Sequence, residues 1–146
     1  MNELISLLLI IATPIIWLLN NWLSDIKHNR KRNLVLNNGE SIDIQRNKCQ
    51  SYIEERLYNA LVKEGYRPIT QLRCGYYWID IALPEYKLAI ECDGKQWHSS
   101  HEQKKHDRKK NCYLKKNGWK VCRLSGSTIN SRLGYAINHI KKRALF

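Results

Sequence analysis

The apolar positions of the chain change their spacing along its length. Residues 4–23 are mostly apolar and contain no charged side chain. As a helix, a segment of this length would span about 30 Å, which is the thickness of the hydrocarbon core of a bilayer. The pattern predicts a transmembrane helix, and it leaves a cleaved signal peptide and a buried helix as the two alternatives.

From residue 49 onward the spacing is that of a folded domain. Ser51 and Glu54 have the spacing of a capping box, which predicts a helix over 51–64 that ends at Gly65. Further elements are expected in the order strand 69–74, strand 76–83, strand 87–93, helix 102–117, strand 119–124 and a last helix from about 128. This αβββαβα order predicts an α/β domain with one mixed sheet and helices packed on it.

We therefore divide the chain into three parts. Residues 1–23 are the predicted transmembrane anchor, 24–48 a basic polar linker and 49–146 the folded domain. Within the linker, Asn38-Gly39 lies between two short apolar runs, so a small hairpin is expected there. A basic cluster at 27–32 follows the apolar segment, which predicts a single-pass protein of the inner (cytoplasmic) membrane with its folded domain in the cytoplasm.

Charge and cysteine content narrow the classes of function. The net charge is +12, and no Lys or Arg occurs in the first 23 residues. A domain this basic suits a polyanion or an anionic membrane surface, unless the charges only form a solvated surface. The five cysteines include no C-x-x-C pair, which excludes a zinc ribbon and favours reduced thiols.

The basic residues of the helix at 102–117 fall in one sector of its surface. This sector fits contacts with the phosphate backbone of a nucleic acid, or it is a solubilising surface. Its members are Lys104, Lys105, Arg108, Lys109, Lys115 and Lys116.

Three carboxylates lie on the two strands that the turn at 84–87 joins. If the turn is centred between residues 85 and 86, Asp80 faces Glu91, and Asp93 lies on the same side as Glu91. Like charges that face each other are destabilising, so such a pair persists if a cation binds between them or one carboxyl is protonated. The cluster is a candidate site for Mg²⁺ or Mn²⁺. The alternative is a solvated strand face screened by lysines.

Motifs spread over the folded domain carry a family resemblance. They are Asp80, Glu91-x-Asp93-Gly94, Trp97-His98, Lys104, Asp107-Arg108 and Gly118-Trp119-Lys-Val. The set resembles the DUF559 group of the PD-(D/E)XK nuclease superfamily, and it is similar to very-short-patch-repair endonucleases. The resemblance covers roughly residues 50–140. It implies a restriction-endonuclease-like αβββαβ core with a mixed four-stranded sheet.

The resemblance also assigns roles. Asp80 and Glu91 would hold Mg²⁺ or Mn²⁺, whereas Asp93 stands where the superfamily usually has its lysine. Lys95 and His98 are the nearest candidates to stabilise charge or to act as general base. Each has an ordinary surface role as its alternative.

An acidic residue on the first helix often completes such sites, and Glu54 occupies that place in the resemblance. Its alternative role is that of the capping-box partner of Ser51.

The expected function is that of a membrane-anchored, metal-dependent endonuclease that hydrolyses phosphodiester bonds of DNA, with RNA left open. Water would attack phosphorus, and Asp93 and His98 would orient it or share its proton. The alternatives are an inactive nuclease-fold module that binds nucleic acid at the membrane, and a secreted basic protein. Cleavage of both strands of a duplex would favour a homodimer.

Overall fold

The computed structural model describes residues 15–16, 19–20, 23, 33–35, 41–94 and 101–145. The chain divides into two compact units, Met1–Ile44 and Gln45–Phe146. In the first unit, strands β1 (Asn33–Val35) and β2 (Ser41–Asp43) pair antiparallel, with Leu34 opposite Ile42. The small hairpin predicted around Asn38-Gly39 is thereby confirmed, although its tip lies outside the described residues.

The predicted transmembrane helix is wrong. A helical span requires about 20 consecutive apolar residues. Among the residues that the structure describes, no helix is long and apolar enough to cross a membrane. The predicted single-pass location in the inner membrane is corrected by the same finding. Most of residues 4–23 lie outside the described residues.

The second unit is an α/β domain. Its elements after the short helix α1 (Ile44–Asn47) are α2 (Tyr52–Lys63), β3 (Ile69–Cys74), β4 (Tyr77–Leu83), β5 (Leu88–Asp93), α3 (His101–Lys116), β6 (Lys120–Ser125), α4 (Gly126–Ser131) and α5 (Leu133–Leu145). The sheet has the order β3-β4-β5-β6, in which only β5 and β6 run parallel. The predicted mixed four-stranded sheet and the αβββαβ order are confirmed.

Local interactions at Ser51 and Gly65 determine where helix α2 begins and ends. The Ser51 hydroxyl accepts a hydrogen bond from the backbone N–H of Glu54 at 3.3 Å, as an N-cap does. Gly65 follows the helix with a φ of +84°, a left-handed conformation that glycine adopts without strain. The inward face of the helix buries Leu57 and Leu61 completely. Each such burial stabilises the fold by roughly 1.5–3 kcal/mol.

Helices cover both faces of the sheet. Helices α2, α4 and α5 pack on one face, where Ile81, Ile90 and Leu124 belong to their core. Helix α3 covers the other face, where Leu114 packs with Ala89. We call these the α2 face and the α3 face. Along β5, residues therefore alternate between the two cores, as a strand requires.

The predicted last helix is corrected to two helices. Helix α4 is capped by Ser125, whose hydroxyl accepts a hydrogen bond from the N–H of Thr128 at 3.2 Å. The helix stops at Arg132, whose φ of −139° and ψ of 50° are not helical, and α5 begins at the next residue. Ile137 and Ile140 of α5 are buried as predicted.

The sheet divides into two arms beyond the middle of β4 and β5. These strands are paired at Leu83–Leu88, Ala82–Ala89 and Ile81–Ile90, so the predicted centre of the turn is confirmed. Past Ile81 and Ile90, β4 remains paired with β3 and β5 remains paired with β6. We call these pairs the β3–β4 arm and the β5–β6 arm, and the place where they separate the fork.

Candidate active site

Asp80 and Glu91 lie at the fork, at the first position beyond the last β4–β5 pair. Asp80 is linked to the other arm through its side chain, because its Oδ2 accepts a hydrogen bond from the backbone N–H of Cys92 at 2.8 Å. The Asp80 carboxylate thus accepts the kind of hydrogen bond that a backbone carbonyl accepts within a sheet, at the point where β4 and β5 stop pairing. The geometry brings the two predicted metal ligands together.

Glu91 is buried, with only 4% of its surface exposed. Its Oε2 accepts a hydrogen bond from Nζ of Lys110 on α3, whereas its Oε1 is buried and has no hydrogen-bond partner in the part of the chain that the structure describes. Burial and the negative charge of Asp80 raise the pKa of Glu91 to about 7, although Lys110 acts in the opposite direction. A buried acceptor without a donor is costly, so this oxygen is suited to binding a cation.

The surroundings of Asp80 shift its pKa in both directions. Burial raises the pKa of Asp80, and the N–H of Cys92 and the charge of Lys110 oppose this effect. The negative charges of Glu54 and Asp93 raise the same pKa further. The carboxylates of β4, β5 and α2 are therefore close enough to repel one another, and added positive charge would be stabilising there.

Glu54 contacts the start of its helix, although its carboxylate takes the backbone N–H of Gln50 and not that of the N-cap Ser51. Its carboxylate accepts hydrogen bonds from the N–H of Gln50 at 3.0 Å and the hydroxyl of Ser51 at 2.9 Å. A third donor, Nε2 of Gln71, lies 3.1 Å from Oε2. Glu54 is buried, so its charge reaches Asp80 with little screening by water.

The backbone opposite Asp80 is strained. Gln71 on β3 has a φ of +49°, which is rare for a residue with a side chain, and the β3–β4 pairing skips Gln71 and Asp80. Ile79 and Ile81, on either side of Asp80, belong to the two different cores, so β4 rotates at Asp80. Position 71 is neither Gly nor Asn, so this conformation could not be predicted from the sequence.

Asp93 is bound to a different cation. It faces α3 like Glu91, as predicted, but its carboxylate accepts a hydrogen bond from Nε of Arg123 at 2.9 Å and another from Nη2. The same Nη2 also donates to Oδ2 of Asp107 at 3.2 Å. A cleft of about 560 Å³ lies beside these residues, and Lys104 and Arg108 contribute to its lining. Asp93 is therefore half of a surface ion pair next to the fork.

Lys110 is a candidate site residue that was not predicted from the sequence. It lies on the inward face of α3, one turn before the buried Leu114, whereas the predicted basic sector covers the outward face. A lysine on the core-facing side of an otherwise basic helix was the available indication. The candidates named instead, Lys95 and His98, lie outside the described residues.

All six residues of the predicted basic sector are exposed. They are Lys104, Lys105, Arg108, Lys109, Lys115 and Lys116. The helix therefore presents these charges to solvent, and Lys104 and Arg108 do so beside the cleft at Asp93.

The carboxylates fit a divalent cation as a pair rather than as a larger cluster. Among the described residues, no three His, Cys, Asp or Glu side chains are grouped so that they could hold a metal ion. Asp80 and Glu91 offer hard oxygen atoms, and the free Oε1 of Glu91 is one of them. Mg²⁺ is commonly held by one or two carboxylates, with water and substrate phosphate as the other ligands.

A mixed four-stranded sheet flanked by helices, with paired carboxylates where it forks, defines a restriction-endonuclease-like domain. The model of the REase_MTES_1575 family matches residues 53–143. The chain belongs to this restriction endonuclease-like family. The family implies a nucleic acid as substrate, and nucleases of this fold generally use divalent metals.

A solved structure supports the same fold. The catalytic domain of the homing endonuclease I-Bth0305I is 22% identical to this chain, with a TM-score of 0.56. The match covers 66% of this chain and 96% of that domain. At this identity the likeness shows the shared fold alone. Among curated proteins, no sequence matches the chain.

Proposed function

We propose that this protein is a metal-dependent endonuclease that hydrolyses phosphodiester bonds, with DNA as its substrate. The observation that carries the proposal is the Asp80–Glu91 pair at the fork, in which Glu91 is buried and its Oε1 has no hydrogen-bond partner among the described residues. A fold maintains such a pair at a cost, because burial opposes the charge of each carboxylate. A bound divalent cation removes that cost.

Asp80 and Glu91 would hold Mg²⁺ or Mn²⁺. The ion supplies positive charge that polarises the scissile phosphate. Lys110 adjoins Glu91 and presents a second positive charge, which would stabilise the negative charge that develops on the phosphate oxygens. The superfamily usually has a lysine where this chain has Asp93. Lys110 would supply the positive charge that is missing at that position.

Other residues would position this group. Glu54 would keep the field at Asp80 negative, and it holds Gln71 against the fork. Asp93 would act through Arg123, its ion-pair partner, which it holds beside the cleft. The predicted roles of His98 and Lys95, to orient the attacking water and to stabilise charge, remain proposals.

The exposed basic sector of α3 would bind the phosphate backbone of the substrate. Phosphate contacts of this kind fix register and orientation but do not select sequence. The finer resemblance to the DUF559 group and to very-short-patch-repair endonucleases remains a prediction.

Cleavage of plasmid DNA by the full chain tests this proposal. We expect cleavage with Mg²⁺ or Mn²⁺ and none with EDTA. Asp80→Asn and Glu91→Gln should each lower the rate at least about 100-fold, the usual effect of removing a group that stabilises transition-state charge. Glu85→Gln is the matched control, because Glu85 is half-exposed and paired with Arg67 on the turn after β4.

Equal cleavage by all four proteins would contradict the proposal. If the wild-type protein binds DNA but cuts neither plasmid nor single-stranded DNA with either metal, the alternative of an inactive nuclease-fold binding module is correct.

A further inference from the structure

The end of the β3–β4 arm exposes two large aromatic side chains and a cation. Trp78 is 53% exposed and Tyr76 is 89% exposed. Arg73 is the strand partner of Trp78, and its guanidinium carbon lies 5.9 Å from the centre of the indole ring. Nε of Arg73 also donates a hydrogen bond to the carbonyl of Gly75 at 3.0 Å, which orients the guanidinium.

The arm itself is firmly attached to α3. The ring of Tyr77 lies 5.3 Å from the ring of Tyr113 and 5.7 Å from that of His106, measured between centroids. A Cβ at Gly75 would lie 2.0 Å from Oη of Tyr113, so the turn packs directly on the helix. The exposed aromatic rings are therefore carried by a supported turn and not by an isolated hairpin.

Arg73 and Trp78 point away from α3. Their neighbours Leu72 and Ile79 pack with the core on the α3 face, and successive residues of a strand point to opposite sides. Trp78 precedes Asp80 by two residues, which is about 7 Å along a strand. An Arg–Trp pair thus adjoins the fork on the side opposite the basic helix.

We propose that the Arg73–Trp78 pair stacks against a nucleobase, and that the preferred substrate is single-stranded nucleic acid. This inference rests on the proposed function, since it requires a phosphate at the fork. Stacking on an aromatic ring combined with positive charge is the usual means of binding single strands, and here the charge beside the ring is that of Arg73. In a paired duplex both faces of each base are covered by its neighbours, so a ring at this place stacks on an unpaired strand without the cost of unstacking a base step. Arg73 adds a positive charge close to the ring.

Binding in EDTA tests the inference without requiring cleavage. The full chain is titrated with a fluorescein-labelled 20-nucleotide single strand of DNA and with the matching duplex. We expect the wild type to prefer the single strand. Trp78→Ala should weaken single-strand binding about 10-fold, in line with the loss of one stacked base, and leave duplex binding unchanged. Trp78→Phe should retain most of the affinity.

Tyr135→Ala provides the matched control. Tyr135 on α5 is 59% exposed, and the guanidinium of Arg132 lies 5.6 Å from its ring, so it is a second exposed Arg–aromatic pair on a different element. Its removal should change neither affinity. Heparin, a polyanion without bases, should bind wild type and Trp78→Ala equally.

Three results would overturn the inference: unchanged single-strand binding by Trp78→Ala, equal losses on single strand and duplex, or an equal loss by Tyr135→Ala. A protein that shows the expected Trp78 effect but does not cut DNA would contradict the proposed function and leave the stacking site intact.

Discussion

Glu91 has charged neighbours with opposite effects. Lys110 stabilises its ionised form, whereas burial and Asp80 disfavour it, and the second influence is larger because the pKa is raised to about 7. The Glu91–Lys110 ion pair is largely withdrawn from solvent, with 5% of the Glu91 side chain and 14% of the Lys110 side chain exposed. Pairs of this kind contribute little net stability because desolvation offsets their attraction. A role in function therefore explains this ion pair better than a contribution to stability does.

The raised pKa predicts how stability depends on pH in the metal-free protein. Between pH 4.5 and about 7, folded Glu91 retains a proton that the unfolded chain has released. The free energy of unfolding should therefore fall as pH rises through this window. Urea denaturation in EDTA at several pH values measures the effect. Glu91→Gln should remove this part of the pH dependence and Glu85→Gln should keep it; an unchanged slope in Glu91→Gln would contradict the electrostatics of the site.

Lys110 gives a prediction for catalysis. Lys110→Ala should lower the single-turnover cleavage rate about 100-fold or more, because Lys110 is the cation that donates a hydrogen bond to Glu91 at the fork. Lys110→Arg should recover part of the rate, since it restores the charge at a different geometry. Lys142→Ala, an exposed lysine on α5, is the control. Lys110→Ala cleaving at the wild-type rate would exclude the catalytic role.

At the residue scale, the sequence predicts the features that strand alternation determines. The shared side of Glu91 and Asp93 and the closeness of Asp80 required only the period of a strand and the centre of a turn. Lys110 and Gln71 were not predictable in the same way. Lys110 acts from a helix that is distant in sequence, and the left-handed backbone of Gln71 is imposed by its surroundings, not by its residue type.

The sequence predicts the bounds of the helices and strands better than it predicts the contacts between them. The bounds of α2, β3, β4, β5 and α3 lie within one residue of the prediction, because caps, glycines and apolar spacing determine them locally. The break between α4 and α5 was missed because Arg132, which interrupts the helix, is neither Gly nor Pro. A helix break at a residue of this type leaves no such mark in the sequence.

Helix α3 predicts how binding depends on salt. Each phosphate contact that is lost lowers the slope of log binding constant against log salt concentration by about 0.7–0.9. The double variant Lys105→Ala, Lys109→Ala should therefore bind DNA more weakly and with a slope smaller by about 1.5. Lys63→Ala with Lys142→Ala removes the same charge from α2 and α5 and should leave the slope unchanged. Equal slopes for both double variants would show that the basic sector is only a solubilising surface.

At the scale of the molecule, the candidate active site is a consequence of how the sheet separates. Three antiparallel strands and one parallel strand hold the chain together in the middle of the sheet, and the two arms diverge where the carboxylates begin. One arm carries Asp80 and Trp78, and the other carries Glu91 and Asp93. The composition and the motifs predicted this class of fold, but they did not predict the fork, which depends on where pairing between distant strands stops.

The central claim is that Asp80 and Glu91 bind a divalent cation at the fork. Calorimetric titration of Mn²⁺ into the full chain, without nucleic acid, tests it most directly. We predict saturable binding of one ion by the wild type and by Glu85→Gln, and loss of that binding in Asp80→Asn. Binding of Mn²⁺ to Asp80→Asn with wild-type affinity, or no binding to the wild type, would contradict it.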